Sequence, residues 1–299
     1  MFLPGKAHNT GAIAEPGGAR PRGILSHGGT PFYHIVKEQF VMRFSQRPYV
    51  LTITCLCFRA FSFANPPVTT ATGDDAFLRI DYPTAVAAYE SLLQESPRDP
   101  EILWRLARVY VCMGEVAGEK ERVALYNIAV SYARRCIQAD STRSEGHTWL
   151  AGALGYVALY GGLSEQVALS HELKSEVDRA LAINPDDDIA CSIKGSFYRA
   201  LGNVGWVKRQ LAGIFVGSVP EGGYEESEAS LKRAIAIAPG VMRHHYELAV
   251  LYLDWDRTAE AKTILKYAAT LPIRTAIDRP RLAKIKELLR SLEDVPGHP

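Results

Sequence analysis

The sequence carries almost no charge bias: 34 lysines and arginines stand against 33 aspartates and glutamates over 299 residues. That removes the electrostatic footprint of a nucleic-acid-binding chain. The small basic pairs Arg134-Arg135 and Lys208-Arg209 read as solvated helix faces. Cysteine is scarce. Cys55 and Cys57 fall in an unusual N-terminal stretch, which leaves Cys112, Cys136 and Cys191. Three distant thiols with no CxxC spacing exclude a disulfide framework and a zinc site, so no metal is expected. Catalytic signatures are missing too: no Gly-x-Ser-x-Gly elbow, no P-loop and no His-Glu-x-x-His. No cofactor is expected. The one strongly apolar stretch, 48–58, is interrupted at Arg59, well short of the roughly 20 residues that a membrane span needs.

What the sequence does have is a repeat. From about residue 99 to 271, one helix-pair pattern recurs four times. First helices carry Leu103-Trp104 with Leu106, Ala107 and Tyr110; then Trp149-Leu150-Ala151 with Leu154; then Cys191, Gly195 and Tyr198; then His245, Leu248, Ala249 and Tyr252. Second helices read Ala129/Ala133/Cys136, Leu173/Val177/Ala180, Ser227/Leu231/Ala234 and Ala261/Leu265/Ala268. They close at Ser141, Pro185, Pro239 and about Pro272, and Ala85/Tyr89/Leu92 with Pro97 is the second half of an earlier unit. A lone pair cannot bury its apolar face, so it stacks on the next, with small residues allowing close approach. The fold class is therefore all-α: a tetratricopeptide-type (TPR-like) right-handed solenoid of about ten helices. Residues 281–292 form a C-terminal capping helix, with Leu282, Ile285, Leu289 and Leu292 on one side and Lys284, Lys286, Glu287 and Arg290 on the other.

The closings are spaced more widely than the 34-residue standard except at the last unit, which predicts insertions. Two are read as polar or glycine-marked turns, around Gly114–Arg122 and Tyr156–Ser164. The third, 202–224, carries its own amphipathic helix with Val207, Leu211, Ile214 and Phe215 on one face. Packing against the array is its simplest role; covering the groove, holding a partner or contacting a membrane surface are the alternatives.

Residues 1–41 lack periodicity and read as a disordered or untranslated extension. Residues 42–64 read as a signal peptide starting at Met42: a basic start, an apolar middle, and Ser62-Phe63-Ala64 as the cleavage site. A mitochondrial presequence, an uncleaved anchor and no targeting at all are the rivals. On the first reading the protein is periplasmic or secreted; on the others, mitochondrial or cytoplasmic. Residues 65–75 form a linker, 76–293 the repeat domain and 294–299 a tail.

The fold points to binding rather than catalysis. Arg105, Arg108, His147, Lys194, Arg199, Arg243 and Glu247 sit on first helices, which line the inner face of such an array, and form the candidate groove for a protein or peptide with acidic groups or a free carboxylate. The adjacent His244 and His245 diverge on a helix and cannot chelate one metal. Asp254 and Asp256 flank a turn beside Arg257, and Asp186-Asp187-Asp188 precedes a helix, where carboxylates suit the N-terminal dipole. Gly152, Gly155, Gly161 and Gly162 follow no strand, so close packing explains them better than a nucleotide loop. An enzyme without a recognisable motif is the third reading.

Three stretches carry a resemblance. His147-Thr-Trp149-Leu-Ala151 with Gly155 and Tyr160-Gly161-Gly162 is one, and Ala182-Ile183-Asn184-Pro185-Asp186-Asp187 with Lys194-Gly195 is another. The third is Trp206, Arg209, Ala212, Phe215, Pro220 and Tyr224 with Ala238-Pro239. Together, over roughly 81–271, the sequence resembles the regulator of microtubule dynamics protein family. The resemblance implies a tetratricopeptide fold, association with microtubules or organelle surfaces in animal members, and bacterial relatives for which tubulin is no ligand. It implies no catalytic residues. Trp206, Arg209 and Phe215 are the match to its insertion helix. An exported adaptor of the bacterial kind is the first expectation, a microtubule- or organelle-surface adaptor the second.

Overall fold

A computed structural model describes residues 68–203 and 220–293, all within one compact unit. Among the described residues there are eleven α-helices and no strand. They form five antiparallel pairs and a final cap: α1 Thr70–Leu78 with α2 Tyr82–Glu95, α3 Pro100–Val116 with α4 Glu119–Ala139, and α5 Ser144–Tyr160 with α6 Leu163–Ile183. Next come α7 Asp188–Gly202 with α8 Tyr224–Ile237, α9 Met242–Asp254 with α10 Thr258–Ala268, and α11 Asp278–Glu293. The array starts earlier than its sequence pattern, because α1 occupies part of the stretch read as linker. Only nine residues long, with buried Gly73, Ala76 and Phe77, it offers little periodicity in the sequence.

Local chemistry sets the helix starts. Asp81, Asp99 and Asp187 accept backbone N–H bonds from Thr84, Glu101 and Ala190, and Pro100 opens α3 with a fixed φ where no intrahelical N–H is required. The repeat positions are the core. Leu106, Ala107, Ala151 and Ala249 on first helices are completely or almost completely shielded, as are Ala129, Ala133, Val177, Leu231, Ala234, Ala261 and Leu265 on second helices. At Gly195 an added Cβ would stand 2.4 Å from Leu231 Cγ, so only glycine lets α7 and α8 approach this closely. Asp186 to Asp188 lie at the start of α7 as expected, with Asp187 as its cap.

Two predicted insertions hold the expected turns, at Gly118 and at Gly161-Gly162, but most of their residues are helical. α3 runs through Gly114 to Val116, α4 starts at Glu119, α5 continues to Tyr160 and α6 starts at Leu163. The extra residues lengthen these helices, and the turns between them shrink to 117–118 and 161–162. Gly114 faces its neighbour inside the pair: a Cβ there would meet the Tyr126 ring at 2.4 Å. Tyr126 stacks on Tyr156 with centroids 4.6 Å apart, tying the lengthened ends of two pairs together. Of the third insertion, Trp206, Arg209 and Phe215 lie outside the described residues, as do the proposed signal segment and the tail.

α11 caps the array as its pattern predicts. Ile285 is fully buried, Leu282, Leu289 and Leu292 pack beside it, and Lys284, Lys286, Glu287 and Arg290 face solvent. Ahead of it, the Asp278 carboxylate accepts the N–H groups of Arg274 and Thr275 and pairs with Arg281, fixing the connection from α10. That connection reaches back across the array. The Ala276 N–H donates to the Tyr82 hydroxyl at 3.0 Å, joining residues 194 apart in sequence.

Candidate functional site

The seven residues expected to line one groove separate into three sets. Arg105 and Arg108 converge on Asp74 of α1, at 3.1 and 3.0 Å, and Asp74 also accepts from the Tyr89 hydroxyl at 2.7 Å. Arg108 lies 3.8 Å over the Phe77 ring. Burial raises the Asp74 carboxyl, but Tyr89 and the two guanidiniums more than reverse it, and it ends below its ordinary value. This set joins the first two pairs. Lys194 reaches Asp178 of α6 at 2.6 Å and is a strut between pairs.

His147 does not face the groove. It is buried, with one ring nitrogen 2.5 Å from Glu176 of α6 and the other 3.1 Å from the Ser141 carbonyl oxygen. His245 makes the matching contact, 2.8 Å to the Pro239 carbonyl oxygen. Both histidines stand six residues after a closing residue and staple the preceding turn to the next helix. Groove and staple positions both fall early in the first helix, so spacing alone could not separate them. His244 points away to Asp188, 2.8 Å distant.

Arg199, Arg243 and Glu247 do come together. They line one side of a cavity of about 680 Å³ bounded by α5, α6, α7 and α9. Arg199 bridges Glu247 at 3.3 Å and Asp254 at 3.0 Å, and Asn203 also donates to Asp254 at 2.8 Å. Asp254, exposed at the end of α9 as expected, is also an ion-pair partner between α7 and α9. Arg243 reaches across the array to Glu115 at the end of α3, 3.7 Å away, and Glu115 accepts from the Tyr156 hydroxyl. Glu115 is 6% exposed and Arg243 18%. Burial works against charge at both Arg243 and Glu247; the facing opposite charges more than offset it, keeping the guanidinium protonated and the Glu247 carboxyl below its usual range. Burial pushes Tyr156 well above the usual phenol range.

Glu115, Tyr156 and Tyr82 were missed in the sequence. A signal existed for the first: Arg108, Cys112 and Glu115 share one helical stripe at offsets of four and three. The inner face is accordingly no continuous trough. The Glu115–Arg243 pair and the Tyr82–Ala276 hydrogen bond close it between the first pairs and the last, and the cavity is the space left beyond them. Leu159, 65% exposed, stands on its wall. Tyr160 follows it at the end of α5 and is exposed, as is Val116 at the end of α3; Arg122 bonds both the Tyr160 hydroxyl and the Ala117 carbonyl, which holds the two helix ends together. Among the described residues no His/Cys/Asp/Glu group is arranged to hold a metal, and no helix is long and apolar enough to cross a membrane.

Stacked antiparallel pairs, first helices inward and a polar-faced cap define a tetratricopeptide-type repeat protein. A thermophilic TPR protein of Thermus thermophilus has a similar fold, with a TM-score of 0.55 at 22% identity, over 73% of this chain and 97% of that one. Residues 73–293 match the model of the family described as regulator of microtubule dynamics protein 1-3, and the chain belongs to that family. Regulator of microtubule dynamics protein 2 of Bos taurus is 25% identical over 221 residues, covering 72% of this chain and 54% of the relative. Protein 1 of the same species is 27% identical over 210 residues, 69% and 66% of the two chains. Protein 3 of Xenopus laevis is 27% identical over 191 residues, 63% and 41%. The chain thus spans about two fifths to two thirds of the length of these relatives.

Proposed function

We propose that this protein is a non-catalytic interaction scaffold whose protein partner docks on the lengthened ends of α3 and α5. The observation that carries this reading is the set of exposed apolar side chains at two helix ends that Arg122 ties together, Val116 on α3 and Leu159 and Tyr160 on α5, with Leu159 on the wall of the cavity that Arg199, Arg243 and Glu247 also line. Apolar anchors flanked by polar groups are the pattern of a protein-binding surface, and a repeat fold presents such a surface without needing a conformational change. Photo-crosslinkers placed at residues 116 and 159 in native cells should trap one common protein, whereas position 232 on the opposite helix layer should not. The paired substitution Val116→Glu/Leu159→Glu should abolish that capture while the fold survives, since both side chains are already exposed. Crosslinks equally frequent from all three positions would refute the surface.

Export is part of the proposal: cleavage after Ala64 leaves a mature chain starting near Asn65, followed closely by α1. N-terminal sequencing of protein from its source cells decides it, and a start at Met1 or Met42 in a cytoplasmic fraction removes export. The second reading, favoured by the family name, is association with microtubules. Co-sedimentation of the full chain with polymerised tubulin tests it: pelleting that saturates supports it, and recovery entirely in the supernatant rejects it.

A further inference from the structure

The cavity is far more apolar than the ion pairs at its edge suggest. Gly152 and Gly155 of α5, Val167 and Leu173 of α6, and Ile193 and Phe197 of α7 form its walls. A Cβ at either glycine would touch only a terminal methyl carbon at 3.2 Å, Ile193 Cδ1 or Leu173 Cδ1, so the missing side chains widen the space. An apolar cavity of about 150 Å³ already holds benzene, and 680 Å³ lies well inside the range of small-molecule sites. One side chain of a docked protein would leave most of it empty.

Most polar groups on the walls are engaged elsewhere, although the buried Nε atoms of Arg199 and Arg243 have no hydrogen-bond partner. Arg199 is held by Glu247 and Asp254, and Arg243 by Glu115. The Gln166 amide donates to the Gly161 carbonyl and the Ser170 hydroxyl to the Val167 carbonyl. Asn203 donates to Asp254 and accepts from the Tyr224 hydroxyl. Both guanidiniums are therefore already matched by carboxylates, three against two, before any ligand arrives. An anionic ligand would shed its hydration without gaining a free counter-charge, and burying a charge in that way is strongly unfavourable. An uncharged apolar ligand loses little and gains the whole wall.

We infer that the cavity between α5, α6, α7 and α9 is a binding site for an uncharged, predominantly apolar small molecule. This goes beyond the scaffold reading and requires no protein partner.

The full chain is titrated with N-phenyl-1-naphthylamine, whose fluorescence rises in apolar surroundings, and in parallel with 1-anilinonaphthalene-8-sulfonate, nearly the same ring system carrying a negative charge. The uncharged probe should saturate at one per chain, with the sulfonate at least tenfold weaker. Ala158→Phe and Ala200→Phe each fill the space from less buried wall positions, and each should weaken the uncharged probe at least fivefold with an unchanged far-ultraviolet circular dichroism spectrum. If one variant misfolds, the other decides. Absence of saturable binding by the uncharged probe, equal or tighter binding of the sulfonate, or wild-type affinity in a folded variant would each overturn the assignment.

Discussion

At the scale of single residues, the structure assigns roles that residue type alone misstates. Gly114 looks like a turn former and is instead the contact point between α3 and the Tyr126 ring. Gly114→Ala should therefore destabilise the fold despite its better helix propensity: overpacking costs about 1–3 kcal/mol, against a propensity gain of up to about 1 kcal/mol. Urea unfolding would show a lowered midpoint. Asp256 is the opposite case. It follows α9 with φ +58° and its side chain is exposed, in a turn where the Arg257 N–H bonds back to the Tyr252 carbonyl. A left-handed non-glycine residue is strained by roughly 1 kcal/mol, so Asp256→Gly should raise the melting temperature by about 2–4 °C. Ile80, φ +63°, makes the same turn after α1 but packs against the core, so glycine there would exchange strain for lost burial.

At the scale of elements, the repeat was legible because its positions obey one rule: small or apolar residues at offsets of three and four are buried whatever their neighbours. Ala129/Ala133/Cys136 and Ala261/Leu265/Ala268 needed no further information. The insertions misled for the complementary reason. Polar residues such as Glu119, Lys120 and Glu121 describe a solvated helix start as well as they describe a loop, and only the pairing of α3 with α4 distinguishes the two. Ion pairs between elements were invisible for the same reason, as Glu228 of α8 illustrates. Burial would raise its carboxyl, yet Lys232, the Tyr252 hydroxyl and Arg257 bring it down to about 2. Its folded value lies below the unfolded one near 4.5, so the unfolded chain binds the proton more readily. The stability it contributes is present above pH 4.5 and is lost as pH falls towards 2. Glu228→Gln should be less stable by about 1 kcal/mol at pH 7, a low figure because solvent screens the group. Melts at decreasing pH should show that gap closing below pH 4.5.

At the scale of the whole molecule, closure decides which candidate residues meet. A solenoid treated as a row of neighbours gives each repeat only two partners, and on that view Arg105, Arg108, His147, Lys194, Arg199, Arg243 and Glu247 belong to one open groove. Curvature is a sum of small rotations per pair, which sequence patterns do not encode, and it brings Arg243 to Glu115 while leaving His147 and Lys194 between layers. The pair should behave as a long-range coupling. Glu115→Gln alone should cost about 1–3 kcal/mol, because it takes the ion-pair partner from a largely buried guanidinium and leaves it only the Glu247 charge. Arg243→Met should cost clearly less in the Glu115→Gln background than in the wild type, and a double-mutant cycle in urea reads the difference.

The hydrogen bond from Ala276 to Tyr82 also changes how the protein answers a pull. An open superhelix stretched along its axis yields like a spring, each turn giving a little under low load. Here the coil is hooked to itself, so tension applied across the hook must first break that fastening in a single event, and only afterwards can the repeats extend. A tether built this way stays short and stiff up to a threshold force, and a tyrosine-to-phenylalanine change at position 82 would lower that threshold, leaving the Glu115–Arg243 pair as the remaining clasp.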